Sequence, residues 1–131
     1  MTDYTTPKEK AINPGHEPTA GKTTIAPGVL HTIARLTALN VEGVSRLASS
    51  LSSNVYRLFK GRYSEGIIID IQDDVVYLDL FIILKSEVNI RDVGRNIQRD
   101  IARAISEMVG MQVGRVNVHV EDIDYPEEIE A

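Results

Sequence analysis

The glycine-rich stretch near the start of the sequence is the first place where residue types could support chemistry. Gly15, Gly21, Lys22 and Thr23 resemble a phosphate-binding loop, in which backbone N–H groups and a lysine hold a nucleotide. Five residues separate the two glycines, whereas that motif has four, and no apolar strand precedes them. Pro27 follows too late for a helix to open directly after such a loop. The spacing therefore argues against nucleotide binding at this stretch.

The remaining titratable and nucleophilic residues are not arranged as a catalytic or metal site. His16, His31 and His119 lie far apart in the sequence, whereas a metal site needs three or four converging ligands. No serine lies in a Gly-x-Ser-x-Gly elbow. The pair Asp73 and Asp74 is typical of a turn. The chain has no cysteine, which excludes thiolate nucleophiles and cysteine-bound zinc. These residues therefore indicate no catalytic residue, no cofactor and no bound metal. They support no enzyme activity, although they do not exclude a hydrolase, and a small-molecule enzyme would need a closed apolar pocket with polar groups pointing in.

Arginines at every fourth position of a predicted helix at residues 89–109 form the most regular charged pattern. Each step of four residues advances about 400°, so the row stays on one exposed side over about 18 Å. The row could be a solvated face with local ion pairs, a docking face for an acidic protein segment, including the acidic tail of another copy, or a nucleic-acid surface. The small net charge of the rest of the chain weakens the last interpretation. This arginine row consists of Arg91, Arg95, Arg99 and Arg103.

A second candidate surface is the segment at residues 55–63, which interleaves three aromatic side chains with three cations. Such a segment could stack on single-stranded nucleic acid, or its apolar side could lie on a membrane surface. A third interpretation, which we favour because the segment is short, is an amphipathic segment that closes one edge of the core. The candidate partner-binding residues in this region are Leu51, Arg57, Phe59, Lys60 and Arg62.

Charge and composition divide the chain into three parts. The formal net charge is −5, but residues 121–131 hold six acidic and no basic residues, so the rest of the chain is near +1. The first 21 residues hold three of the five prolines and few large apolar groups, which is typical of a disordered leader. No apolar stretch approaches the roughly 18 residues that span a bilayer, and no signal peptide is evident. We predict a disordered leader at residues 1–20, one domain at residues 21–123 and an acidic tail at residues 124–131.

Apolar residues at helical spacing predict two main helices in the domain. Pro27 fits the first turn of the first helix, which ends near Asn40. Asn89 is a suitable N-cap for the second helix, and Gly110 ends it. The predicted core face of the second helix consists of seven apolar residues, namely Ile90, Val93, Ile97, Ile101, Ala104, Ile105 and Met108.

Alternating apolar residues predict strands at residues 66–71, 75–85 and 113–120. The first two form a hairpin, and a helix joins the second to the third, so the last two should run parallel. Residues 23–25 and 41–47 are predicted short extended pieces, and residues 47–61 a loop with a helical turn. The predicted fold is α+β, a small mixed sheet with two main helices packed on it, in the order β-α-β-(short helix)-β-β-α-β.

The ordered set of short motifs resembles the alkaline shock protein family, also called the Gls-type general stress proteins. The resemblance covers residues 21–123, and it depends on the order of the motifs because no single motif is specific. In chain order the motifs are Gly21 with Thr24-Ile25-Ala26-Pro27, Val41-Glu42-Gly43-Val44, Gly66-Ile67-Ile68-Ile69, Val76-Tyr77-Leu78-Asp79-Leu80, Asn89-Ile90, Gln98, Met108-Val109-Gly110-Met111 and Val116-Asn117-Val118-His119-Val120-Glu121-Asp122-Ile123.

The resemblance implies a cytoplasmic, non-enzymatic protein of stress response and cell-envelope homeostasis. It implies self-association, or docking on a membrane-anchored partner that recruits the chain to the inner face of the membrane. It supplies no catalytic residue. A nucleic-acid-binding module that uses the basic helix is the alternative. Two departures stand out: Ala26 replaces the Ser or Thr usual before the first helix, and Lys85-Ser86-Glu87 replaces a Tyr-Gly pair.

Overall fold

A computed structural model describes residues 20–48 and 63–126 of the chain. The described part contains two α-helices and five β-strands. In chain order these are α1 (Pro27–Asn40), β1 (Val44–Leu47), β2 (Tyr63–Ser64), β3 (Ile67–Gln72), β4 (Val75–Lys85), α2 (Ile90–Val109) and β5 (Gln112–Asp124).

Strand β4 is the centre of one mixed sheet. Strand β5 pairs with it in parallel along its full length, from Val75 opposite Gln112 to Lys85 opposite Asp124. Because β5 occupies one edge of β4, the antiparallel strands β3 and β1 share the other edge, one after the other. Strand β2 pairs with the outer edge of β3. The parallel pairing follows from the sequence, because α2 is the crossover connection that a β-α-β unit needs.

Helices α1 and α2 pack on one face of the sheet and on each other. The side chains of β4 that point to this face have no or almost no exposed surface, and four residues of each helix are buried against them. Burial of each large aliphatic side chain contributes about 1.5–3 kcal/mol. This core contains Val76, Leu78, Leu80, Ile82 and Leu84 from β4, Leu30, Ile33, Ala34 and Ala38 from α1, and Val93, Ile97, Ile101 and Ile105 from α2.

The opposite face of the sheet carries a smaller apolar cluster. Ala48, Ile68, Phe81 and Ile83 are buried there, with exposed fractions of 2–7%. The sequence predicted this face as only partly covered, since Tyr77 and other polar side chains interrupt its apolar pattern. The burial of this cluster shows that both faces of β4 contribute to the core.

The predicted α+β fold class is confirmed, and the differences lie at the ends of elements. Residues 23–25 do not form a strand, so the described chain enters α1 without joining the sheet first. Strand β5 continues to Asp124, beyond the predicted end at Val120, and therefore takes in the first three acidic residues of the C-terminal segment. No helix in the described ranges is long and apolar enough to cross a membrane.

Several apolar residues expected in the core are exposed instead. On α2, Ile90 is 46% exposed and Met108 is 70% exposed, and they lie at or near the two ends of the helix. On α1, the apolar residues Val29 and Leu36 are also exposed, at 43% and 53%. The helical period was correct for both helices, but the predicted core face of α2 was too long.

Candidate interaction surfaces

Helix α2 places the arginine row on its exposed side. The helix begins where the side chain of Asn89 accepts a hydrogen bond from the backbone N–H of Asp92, at 2.9 Å. It ends at Gly110, which adopts a left-handed conformation (φ 78°). Its strong amphipathicity separates a buried aliphatic face from a charged one. All four arginines of the row are exposed, as the sequence predicted for that side of the helix.

The four arginines differ in their contacts. Arg95 forms an ion pair with Asp92, one turn earlier on the helix. Arg99 contacts Asp100 at 3.0 Å and also donates to the side chain of Asn96 at 2.9 Å. Arg91 and Arg103 have no ion pair within residues 20–48 and 63–126. The row is therefore locally neutralised at its centre and cationic at its two ends.

The other candidate surface lies outside the described residues. Leu51, Arg57, Phe59, Lys60 and Arg62 all fall within the stretch 49–62. The predicted role of these residues in partner binding stays a prediction.

A groove lies between the first half of α2 and the second half of β5. It has a volume of about 530 Å³. Its lining combines aliphatic groups of the strand with two members of the arginine row, so it has an apolar wall and a cationic wall. The lining residues are Ile90, Arg91, Gly94, Arg95, Gln98, Val118 and Val120. Gln98 also ties the helix to the strand, because its side-chain amide donates to the backbone oxygen of Val116 at 3.0 Å.

A polar cluster lies on the sheet face opposite the helices. One carboxylate oxygen of Asp79 lies 3.1 Å from the amide nitrogen of Asn117 and 2.9 Å from Nε2 of His119. The imidazole of His119 stacks on the ring of Phe81, with centroids 4.5 Å apart. Nearby, the guanidinium of Arg115 lies 5.0 Å from the centre of the Tyr77 ring. Among the described residues, no group of three or more His, Cys, Asp or Glu side chains converges as a metal site.

Sequence reasoning missed this polar cluster because its members are about 40 positions apart in the chain. The parallel register of β4 and β5 places Asp79 opposite Asn117 and Phe81 opposite His119. The sequence did predict that these two strands run parallel. It did not give their register, which is what places these side chains next to each other.

A second contact between residues far apart in the chain lies at one end of the sheet, between β1 and β5. The carboxylate of Asp124 accepts hydrogen bonds from the hydroxyl of Ser45 at 2.6 Å and from the Nε of Arg46 at 3.2 Å. These hydrogen bonds, first that of Ser45 and then that of Arg46, lower the pKa of Asp124 below its ordinary value of 3.8. The contact joins β1 to β5 across the end of β4.

Residues 15–125 match the model of the alkaline shock protein 23 family, which is described by a cell envelope-related function. The chain belongs to this family.

Relatives of this alkaline shock family member are found in bacteria. The uncharacterized protein YqhY of Bacillus subtilis is 29% identical over 112 residues, which cover 84% of this chain and 83% of YqhY. The uncharacterized protein Spy1535 of Streptococcus pyogenes is 29% identical over 104 residues, which cover 79% of each chain. Among solved structures, a variant of the MamM CTD is 13% identical with a TM-score of 0.46, over 72% of this chain and 95% of that one.

The structure shows the effect of one of the two residues or segments that depart from the family pattern. Ala26 is the N-cap of α1 and makes no side-chain hydrogen bond to the first turn of the helix. The first helix therefore begins without the capping bond that Ser or Thr supplies in the family pattern.

Proposed function

We propose that this chain is a non-enzymatic interaction module of cell-envelope homeostasis and stress response, which associates with itself or docks on an envelope-linked partner. Its expected location is the cytoplasm, with recruitment to the inner face of the membrane by a membrane-anchored partner. The family's cell envelope-related function supports the general role. The arginine row on α2 is the structural observation that carries the proposal of a docking surface.

The contacts of the row favour a protein partner over nucleic acid. Arg95 and Arg99 are already paired with Asp92 and Asp100, so two anionic groups lie within the row itself. Those carboxylates would repel a phosphate backbone, which is recognised mainly through unopposed positive charge. A protein partner can satisfy both signs of charge at once, because its own surface carries donors and acceptors.

The first test measures association directly. Size-exclusion chromatography with light scattering, over a wide range of protein concentrations, should show a mass above that of one chain. A strict monomer at high concentration, with no partner captured from an envelope fraction, would contradict the proposal.

The second test asks whether the row takes part. Arg91 and Arg103 are the arginines of the row that form no ion pair among the described residues. Reversing both, Arg91→Glu with Arg103→Glu, should weaken capture of the partner about tenfold or more, since like charges across an interface cost several kcal/mol. A matched control reverses two exposed lysines off the helix, Lys22→Glu with Lys85→Glu. Equal losses in both double variants would show a net-charge effect and would remove the row from the proposal.

A nucleic-acid-binding role can be tested with the same double variant and an oligonucleotide in place of the protein partner. Binding of a single-stranded oligonucleotide would then fall steeply with added salt and would disappear in the Arg91→Glu and Arg103→Glu variant. We expect a flat titration at low salt.

A further inference from the structure

The outer edge of β5 is the longest unpaired edge in the described part of the sheet. Strand β5 is 13 residues long, and within residues 20–48 and 63–126 it pairs only with β4. Irregularities in the β4–β5 register fall at Gly114 and at Glu121. The strand between them, from Arg115 to Val120, follows an uninterrupted register. An edge of this kind presents a row of backbone N–H and C=O groups that can pair with another strand. Within it, the oxygen of Val116 already accepts from the side chain of Gln98, and a carbonyl oxygen has two lone pairs.

The sequence of this edge is complementary to itself. In an antiparallel pairing of two copies of β5 with the two-fold axis at Val118, that valine faces its own copy. Within the regular stretch Val116 faces Val120 and Asn117 faces His119, and Arg115 comes opposite the irregular position that Glu121 occupies. The symmetry repeats each of these pairs on the other side of the axis. Aliphatic β-branched pairs and opposite charges are the cross-strand pairs that stabilise antiparallel sheets.

Neighbouring registers lose this complementarity. An axis at Asn117 places Arg115 opposite His119, and an axis at His119 places it opposite Ile123. Of these three axes, only the one at Val118 brings Arg115 to an acidic residue. The charges therefore select one register, and both charged side chains are exposed in the single chain.

We propose that two copies of this chain pair through the outer edges of β5, antiparallel and with the two-fold axis at Val118. The two sheets then form one continuous sheet. The proposal deepens the self-association in the proposed function and rests on it. A second copy is the occupant that the edge fits, because a two-fold interface needs a surface complementary to itself.

The α2–β5 groove supports the same occupant. Val118 and Val120 are only partly buried in the single chain, and both line the groove beside the open edge. The partner's Val116 and Val118 would lie next to them in the paired sheet. Pairing would thus remove apolar surface from water in addition to forming backbone hydrogen bonds.

A single cysteine tests the position of the axis, because the chain has no cysteine of its own. In an antiparallel pair, opposite Cα atoms are about 4.5–5.5 Å apart, which is within the range for a disulfide. Val118→Cys should therefore give a disulfide-linked dimer in high yield under mild oxidation. The control is Glu107→Cys, an exposed position on α2 away from the β5 edge, which should give only slow collisional cross-linking.

A charge swap tests the register without any cross-link. Arg115→Glu alone and Glu121→Arg alone each place two like-charged pairs across the axis and should raise the dimer dissociation constant about tenfold or more. The combination Arg115→Glu with Glu121→Arg restores opposite charges and should recover dimerisation. The Arg115→Glu single variant and the double variant both lose the contact between Arg115 and Tyr77. Recovery of dimerisation in the double variant therefore cannot come from that contact.

The outcomes separate the two proposals. If the wild-type chain associates but Val118→Cys does not cross-link above the control and the charge variants keep the wild-type mass, edge pairing is wrong and association through another surface stands. If the wild-type chain is a monomer at every concentration, both self-association and edge pairing are wrong. Selective cross-linking together with recovery in the double variant supports antiparallel pairing with the axis at Val118.

Discussion

At the scale of single residues, Phe81 marks the point where two strands meet along one edge of β4. Its backbone oxygen accepts from the N–H of Ala48 at 2.7 Å, and its N–H donates to the oxygen of Gly66 at 2.8 Å. Gly66 has a positive φ of 85°, and a Cβ there would lie 2.9 Å from the oxygen of Ala48. The end of β1 and the start of β3 therefore meet at a position without room for a side chain.

Gly66→Ala should strongly destabilise the fold. The left-handed backbone costs about 1–2 kcal/mol for an L-residue, and the overpacking against backbone atoms adds about 1–3 kcal/mol. We expect the free energy of unfolding in urea to fall by roughly 2–5 kcal/mol from these two effects. Gly94→Ala is the matched control, because nothing lies within 4 Å of its Cβ position and it is inside α2. That change should raise stability by about 1 kcal/mol, and equal effects at both positions would contradict the steric explanation.

The contacts of Asp124 should make the free energy of unfolding depend on pH in the acid range. Its pKa in the folded chain lies below the ordinary value of 3.8, so its contacts with Ser45 and Arg46 add stability above that value. This contribution is lost as the pH falls through the lowered pKa. Urea unfolding of wild type and Asp124→Asn over a pH series should therefore give curves that converge in acid and separate above pH 3.8. A constant difference between the two curves at all pH values would show that the charge of Asp124 is not involved.

At the scale of elements, the two helices begin in different ways. Helix α2 has a side-chain cap from Asn89, whereas α1 starts at Ala26 with Pro27 in its first turn and no side-chain cap. The first helix is therefore held mainly by its packing on the sheet. The second helix has favourable local sequence at both ends as well as a buried face.

Substitutions at the two N-caps should act in opposite directions. Asn89→Ala removes the bond to the N–H of Asp92 and should cost about 1 kcal/mol of unfolding free energy. Ala26→Ser supplies a missing acceptor and should add about 0.5–1 kcal/mol. Thermal or urea unfolding of the two variants checks both values. A loss of stability in Ala26→Ser would show that the first turn of α1 does not accept a side-chain cap.

These elements also show what sequence can and cannot specify. The bounds of α2 and β4 were predictable because periodicity, Asn89 and Gly110 all agree locally. The extension of β5 to Asp124 was not, because its last residues are acidic and are held by Ser45, which is 79 positions away. The arginine row followed from spacing alone, whereas the open edge of β5 required knowledge of which strands are neighbours.

At the scale of the whole molecule, edge pairing would couple folding to assembly. Anything that binds only the folded chain raises its apparent stability, and a second copy is such a ligand. The melting temperature should then rise by about 2–4 °C for each tenfold increase in protein concentration where the dimer predominates. Differential scanning calorimetry at several concentrations measures this, and in Arg115→Glu the same dependence should begin only at about tenfold higher protein concentration or above. A flat dependence in wild type would contradict a dimer at those concentrations.

The central position of β4 has a consequence for folding during translation. Its parallel neighbour β5 ends at Asp124, which is 39 residues after the end of β4 at Lys85. At a synthesis rate of about 5–20 residues per second, the ribosome needs roughly 2–8 s to deliver that stretch. During this interval the most hydrophobic strand of the nascent chain has no partner on one side. Cellular chaperones that recognise extended apolar segments should therefore meet this protein while it is still being translated.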